Sequence, residues 1–247
     1  MVDEPHDRIH LVVLFGGESA EHDVSCTTAA HVLRAADRHR YRITPVGIST
    51  EGQWALAHEA VEALIEGPHA IPGRLNPAGT DVSPTPMLAA AADGDEITVV
   101  LPLLHGPLGE DGTVQGMLDL ANVPYVGSGV LGSAVSMDKA MAKQVLTAAG
   151  IPQARYRAFA DHEMTPGLPA ELVDELGLPV FVKPANMGSS VGVSKATTLD
   201  ALREAIGHAL SYDEMIVVEE AITGREIEVA VLGTTDPEAS GPGEIVP

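Results

Sequence analysis

Apolar positions fall into short unbroken runs in the first half of the chain. IHLVVLF at 9–15, ending on Gly16-Gly17, predicts a strand buried on both faces of a parallel sheet. Behind it Val24, Thr28, Ala29, Val32, Leu33 and Ala35 recur at helical spacing, so residues 25–36 predict a helix. Further strands are expected at 41–49 (YRITPVGIS) and 97–106 (ITVVLPLLHG), a helix at 111–121, and a short strand at 123–127 (VPYVG). Strand–helix alternation of this kind predicts a doubly wound α/β domain whose binding loops leave the carboxyl ends of the strands. Residues 67–87 are rich in Pro and Gly and predict a surface excursion outside the core.

The pattern changes near residue 128. SMDKAMAKQVLTAAG at 136–150 predicts a helix capped by Ser136 and stopped at Gly150. A strand at 153–159, a helix at 169–176 and strands at 179–183 and 191–196 should follow. An amphipathic helix at 198–213 and strands at 215–222 and 225–233 come next, and EIV at 244–246 begins another strand. This mixed α+β pattern divides the chain into an N-terminal doubly wound domain at 1–127, a central subdomain at 128–218 and the start of a third at 219–247.

Charge narrows the function. The chain has 35 acidic against 14 basic residues, a net charge of −21. Such a surface repels nucleic acid and anionic lipid, so an anionic ligand requires a local positive pocket. Aromatic residues at 3% argue against a base-stacking platform. The lone Cys26 excludes an internal disulfide and reads as a structural thiol of a reducing compartment. The polar, acidic N-terminus is unlike a signal peptide, and no apolar run approaches the ~20 residues of a membrane span. A soluble cytoplasmic protein is expected.

Within that background KPANMGSSVG at 183–192 stands out, because the chain holds only four lysines. It reads either as a hairpin turn beside a solvated Lys183 or as a phosphate-gripping loop. In the second case Gly188 and Gly192 free the backbone, and Ser189 and Ser190 supply donors. Lys139 sits at a helix start, where a cation opposes the helix dipole; it is either surface charge or placed for an anion. In Glu219-Glu220, strand alternation sends the two carboxylates to opposite faces. With Ile222 and Glu226 they form either a solvated acidic edge or a wall for a flat purine. The loop GGESAEHDVS at 16–25 lacks the G-x-G-x-x-G spacing of a dinucleotide site. Its Glu18, Glu21 and Asp23 suit an ammonium better than a pyrophosphate. His105, in HGPLGEDG past another strand end, is structural or joins that site.

Five segments together resemble the D-alanine–D-alanine ligases of the ATP-grasp superfamily. They are LFGGESAEHDVS, LPLLHGPLGEDGTVQGMLDL, YVGSGVLGSAVSMDKAMAK, FVKPANMGSSVGVSK and VVEEAITGREIEVAVL, in that order over nearly the whole chain. The resemblance implies an ATP-grasp fold after residue 127 and ATP-dependent joining of two D-alanines through an acyl phosphate, for peptidoglycan precursor synthesis. It implies that Glu21 holds the amino group of the first D-alanine with His105 nearby, and that Lys139 and Lys183 bind ATP phosphates. The loop with Gly188, Ser189 and Ser190 would close over them, Ser189 lying close to the substrates. Glu219, Glu220 and Ile222 would frame the adenine, and Glu226 the ribose. A homodimer and magnesium, replaceable by manganese, are implied as well. Family members continue past Pro247 with the metal ligands, so none is expected in this chain, which reads as C-terminally incomplete, with an open strand edge near 226–233 and no dipeptide formation by these 247 residues alone. The alternatives are a D-alanine–D-lactate ligase or a silent nucleotide-binding fragment.

Overall fold

The computed structural model describes residues 8–92 and 97–246. The acidic residues 1–7 and Pro247, on which the readings of the two chain ends partly fall, lie outside the described residues. The chain runs through β1 (Ile9–Gly16), α1 (His22–Ala35), β2 (Tyr41–Ile48), β3 (Trp54–Ala57) and α2 (His58–Glu66). It continues through β4 (Gly79–Asp81), α3 (Pro84–Ala92), β5 (Thr98–Pro102) and α4 (Thr113–Leu120). These strands form one sheet in the order β4-β3-β2-β1-β5; β1 is parallel to β2 and β5, and β3 and β4 are antiparallel additions.

The apolar run of β1 is unbroken because both of its faces are covered. Leu11, Val13 and Phe15 pack with Cys26, Ala29, Ala30 and Leu33 of α1 and Ala60 and Ala63 of α2. Val12 and Leu14 point the other way, against Val114 and Leu118 of α4. Helices on both faces make this the doubly wound α/β arrangement. Because β1 lies between β2 and β5, the chain leaves it to one side and returns on the other. The loops after β1 and β5 therefore diverge and leave a crevice at the carboxyl ends of the strands.

Two expectations fail here. The 67–87 stretch is not outside the core: Ile71 and Leu75 are buried in it, and the stretch also supplies β4 and the start of α3. Its prolines and glycines bend the path but leave single side chains free to turn inward. VPYVG makes only an isolated bridge, Tyr125 to Val100. Pro124 has no N–H for a ladder, and its carbonyl accepts from Val100 N instead. The segment containing β3 and α2 was not foreseen.

The second half contains α5 (Val130–Met137), α6 (Lys139–Ala148), β6 (Tyr156–Ala160), α7 (Leu168–Leu176) and β7 (Val180–Pro184). After these come β8 (Ser194–Ala196), α8 (Leu199–Leu210) and β9 (Met215–Glu220). The strands form an antiparallel sheet in the order β6-β9-β7-β8. Val180, Val182, Ile216 and Val218 face Leu172, Leu176, Leu202 and Ile206 of α7 and α8. By alternation Phe181, Lys183 and Glu219 stand on the opposite face, away from the helices. The expected single helix at 136–150 is broken: Asp138 is extended and caps α6, its Oδ1 accepting from Met141 N–H at 3.0 Å. A carboxylate at this position outcompetes the predicted Ser136 cap.

The last segment holds β10 (Glu226–Glu228), β11 (Val231–Leu232), β12 (Glu238–Ala239) and β13 (Gly243–Ile245). The strand edge expected to be open near 226–233 is paired: β10 with β13 and β11 with β12, both antiparallel. Gly233, at φ +116, turns the chain back so that its own next residues supply the partners. Val231 and Leu232 remain exposed.

Candidate active site

The crevice is built from two loops. β1 ends on Gly16 and Gly17, both left-handed; a Cβ at Gly16 would lie 2.2 Å from Ile48 O, so only glycine fits. Buried Ser25 of α1 accepts from Gly16 N–H at 2.8 Å and donates to Leu103 O at 2.5 Å, clamping the two strand ends together. The loop after β5 is braced by its own acids: Gly106 N–H donates to Glu110 Oε2 and Leu108 N–H to Asp111 Oδ2, each at 2.8 Å. Burial pushes the Asp111 carboxyl up, yet the amides of Leu108 and Thr113 outweigh it and hold it below its usual range. Glu21 stands at the mouth, within reach of Gly106 and Gly188. His105 lines an adjoining, mainly apolar cavity; its Nδ1 is 3.7 Å from Glu110 Oε1, and its buried Nε2 has no partner among the described residues.

The Gly/Ser loop after β7 is tied at its base and bent at its tip. Asn186 donates twice to Asp213 Oδ2, from N at 2.7 Å and Nδ2 at 3.1 Å. From the other side Lys139 Nζ donates to Met187 O at 2.5 Å and Ala185 O at 3.3 Å. Ser189 and Ser190 are both left-handed, at φ +44 and +60, a conformation costing about 1–2 kcal/mol per residue. That bend carries the Ser189 hydroxyl to the Glu21 carboxylate, to which it donates a short hydrogen bond. The loop tip of the second sheet thus meets the acid of the first. Gly188 is needed for this approach, since a Cβ there would lie 3.1 Å from Glu21 Oε2.

Beneath the loop is a cavity of about 690 Å³. Every residue expected to meet the nucleotide lines it: Lys139, Lys183, Gly188, Ser189 and Ser190 on one side, Glu219, Glu220, Ile222 and Glu226 on the other. Two of the chain's four lysines, Lys139 and Lys183, line it, and Lys143 stands behind its wall. Lys183 pairs with Glu219 Oε1, Lys143 lies 2.9 Å from Glu219 Oε2, and Lys195 Nζ is 5.7 Å from the Phe181 ring centre. Burial pushes the Glu219 carboxyl up, but its bonds to Lys183 and Lys143 prevail and hold it below the usual range. Burial first, then the Lys183 charge, lowers the pKa of Lys139. Glu220 also lines the cavity, but its carboxylate is held by Arg155, accepting from its N and Nε at 2.8 Å each. The Arg155 amide, then its side chain, lower the Glu220 pKa. Ile222, 68% exposed, presents an apolar wall that a flat ring would cover.

Several contributors went unread in the sequence. Asp213 is a lone acid in a turn, and no local signal marks it. Lys143, four residues after Lys139 on one helix face, was findable from the i,i+4 spacing. Cys26 is buried, and desolvation raises its thiol pKa to about 11, so it is an inert core residue.

Comparison with known proteins shows the family. The family model for the D-ala D-ala ligase N-terminus matches residues 10–128, and that for the C-terminus matches 145–247. A D-alanine–D-alanine ligase of Geobacillus thermodenitrificans is 44% identical over 247 residues, covering 97% of this chain and 68% of that protein. One from Mycolicibacterium vanbaalenii is 46% identical over 257 residues, covering 96% and 68%. The solved D-alanine–D-alanine ligase of Coxiella burnetii superposes with a TM-score of 0.80 at 35% identity, covering 97% of this chain and 71% of that one. The VanG D-Ala:D-Ser ligase of Enterococcus faecalis gives 0.77 at 32% identity, covering 96% and 69%. With both family models matched in order and the crevice, loop and lysine cavity assembled as one site, this chain belongs to the D-alanine–D-alanine ligase family.

Proposed function

We propose that this protein joins two D-alanines at the expense of ATP, supplying the peptidoglycan precursor D-alanyl-D-alanine in the cytoplasm, as a homodimer. The observation that carries the reading is the Ser189–Glu21 bond, which joins the loop over the lysine cavity to the acid of the crevice. Residues 1–127 form the amino-acid side, 128–218 the phosphate-loop side, and 219–247 the start of the nucleotide wall.

A carboxylate does not react with an amine in water, so it must first be activated. A carboxylate oxygen of the first D-alanine attacks the γ-phosphorus and ADP leaves. The second D-alanine, its ammonium having released a proton to solvent, attacks the acyl carbon through nitrogen; inorganic phosphate departs from that carbon and carries off the amine's second proton. Glu21 holds the first ammonium by a charge-assisted bond. Lys139 and Lys183 meet the phosphate charge in a protein of net charge −21. The loop, closed from Ser189, keeps water from the acyl phosphate. Glu219 and Ile222 border the purine and Glu226 the ribose. Magnesium is not fitted by these residues: among those described, no group of three or more His, Cys, Asp or Glu is placed to hold a metal. No described helix is long and apolar enough to cross a membrane.

The test supplies the full-length protein with D-alanine, ATP and magnesium and assays dipeptide and phosphate, with D-serine and D-lactate offered as second substrates in parallel. D-Alanyl-D-alanine with stoichiometric phosphate is expected. Phosphate release that does not depend on D-alanine, or a preferred D-lactate product, overturns the reading.

A further inference from the structure

Glu219 is the only carboxylate among the described residues that holds two lysines at once. Lys183 takes Oε1 and lines the cavity, while Lys143 lies 2.9 Å from Oε2 and does not line it. Lys143 is kept behind the carboxylate. Its Nζ sits 4.8 Å from the ring centre of Tyr156, which stands directly opposite Glu219 in the β6–β9 register. It reaches that place because it follows Lys139 by one turn of α6, so a single helix delivers one lysine to the loop carbonyls and one to Glu219.

A phosphate entering the cavity competes with Glu219 for Lys183. Were Lys183 its only cation, its departure would strand a mostly buried carboxylate, which is strongly unfavourable. With Lys143 on the second oxygen, Glu219 keeps a charge-assisted bond and Lys183 is released at little cost. We propose that Lys143 is a positioning residue for nucleotide binding, acting through Glu219 by keeping that carboxylate paired while Lys183 turns to the phosphates. The inference rests on reading the cavity as the nucleotide site.

The test is a double-mutant cycle read by ADP titration calorimetry on the wild type, Lys143→Met, Glu219→Gln and the double variant. Lys143→Met should weaken ADP binding about tenfold or more, the size of one charge-assisted hydrogen bond. In the Glu219→Gln background, where no carboxylate can be stranded, the same change should cost less than about threefold, because coupled residues are not additive. Lys143→Arg, which can still reach the carboxylate, should retain most of the affinity and controls for packing on Tyr156. Equal losses in both backgrounds would place Lys143 on the ligand itself and overturn the proposal. So would wild-type affinity in Lys143→Met, or a Lys143→Arg variant that folds but binds as weakly as Lys143→Met. Absence of ADP binding by the wild type would sink the nucleotide reading, and this inference with it. That outcome is distinct from a wild type that binds and a Lys143→Met variant that matches it.

Discussion

The same substitution at two glycines should have opposite signs. Gly192 closes the loop over the cavity at φ +71, and a Cβ there would lie 2.6 Å from Pro184 Cγ and 2.8 Å from Tyr212 Cδ2. Neither ring atom is the free end of a flexible chain. A left-handed alanine costs about 1–2 kcal/mol, and forcing aside packed neighbours adds about 1–3 kcal/mol. Gly192→Ala should therefore raise the energy of the closed loop by about 2–5 kcal/mol. Gly207 lies inside α8, where an added Cβ would meet nothing within 4 Å and φ is not left-handed. There alanine should stabilise by about 0.5–1 kcal/mol through helix propensity. Urea unfolding gives the global difference, and amide exchange at 186–193 shows whether the Gly192→Ala cost is met by opening the loop alone. Protection of the loop should fall at Gly192→Ala while the β1 amides stay as slow as before. If Gly192→Ala is as stable as the wild type and its loop exchanges no faster, the described closure is wrong.

Glu21→Gln should weaken first-substrate binding by about 1.5–3 kcal/mol in D-alanine kinetics, with ADP affinity unchanged; an equal loss of ADP affinity would make Glu21 a structural acid. Ser189→Ala should alter urea stability by less than about 1 kcal/mol, since its bond is exposed, yet quicken exchange and proteolysis of the loop tip. Cys26 should resist thiol reagents at pH 8 in the native protein and react in urea. Its thiol, near 11 in the folded chain against an ordinary 9.0, makes stability intact below pH 9 and declining as pH rises between these values, because the unfolded thiol ionises first. A native thiol that titrates at its ordinary value would contradict the packing of α1 on β1.

The elements that carry ligands were the most legible. β1 announces itself by a continuous apolar run, as expected of a strand covered on both faces, while β2 keeps Arg42 and Thr44 in its less buried first half. The glycines and serines at 188–192 are marked by composition, and the match of five ordered segments assigned them a chemistry that composition alone left open. What stayed hidden depends on distance in sequence. The pairing of β10 with β13 and the inward turn of Ile71 and Leu75 are tertiary choices that local pattern does not encode. Asp213 braces Asn186 from 27 residues away. The helix break at Asp138 is local, but propensity favours continuing through SMDKAMAK, and the cap is recognised only once the backbone is seen to be extended there.

The Ser25 clamp has a consequence for how the width of the crevice is governed. Its hydroxyl joins Gly16 N–H to Leu103 O from beneath the sheet, at a helix position with no solvent access. Exchanging Glu18 or Pro107 changes the lining of the crevice, whereas exchanging Ser25 changes the gap between its two walls. Ser25→Ala strands the buried Gly16 amide and removes one of the ties between the two strand ends, leaving Leu103 N–H on Leu14 O, so the aperture loosens although no crevice-lining side chain has moved. The spacing of the crevice walls thus answers to the packing of α1 against β1 as well as to the side chains on its surface.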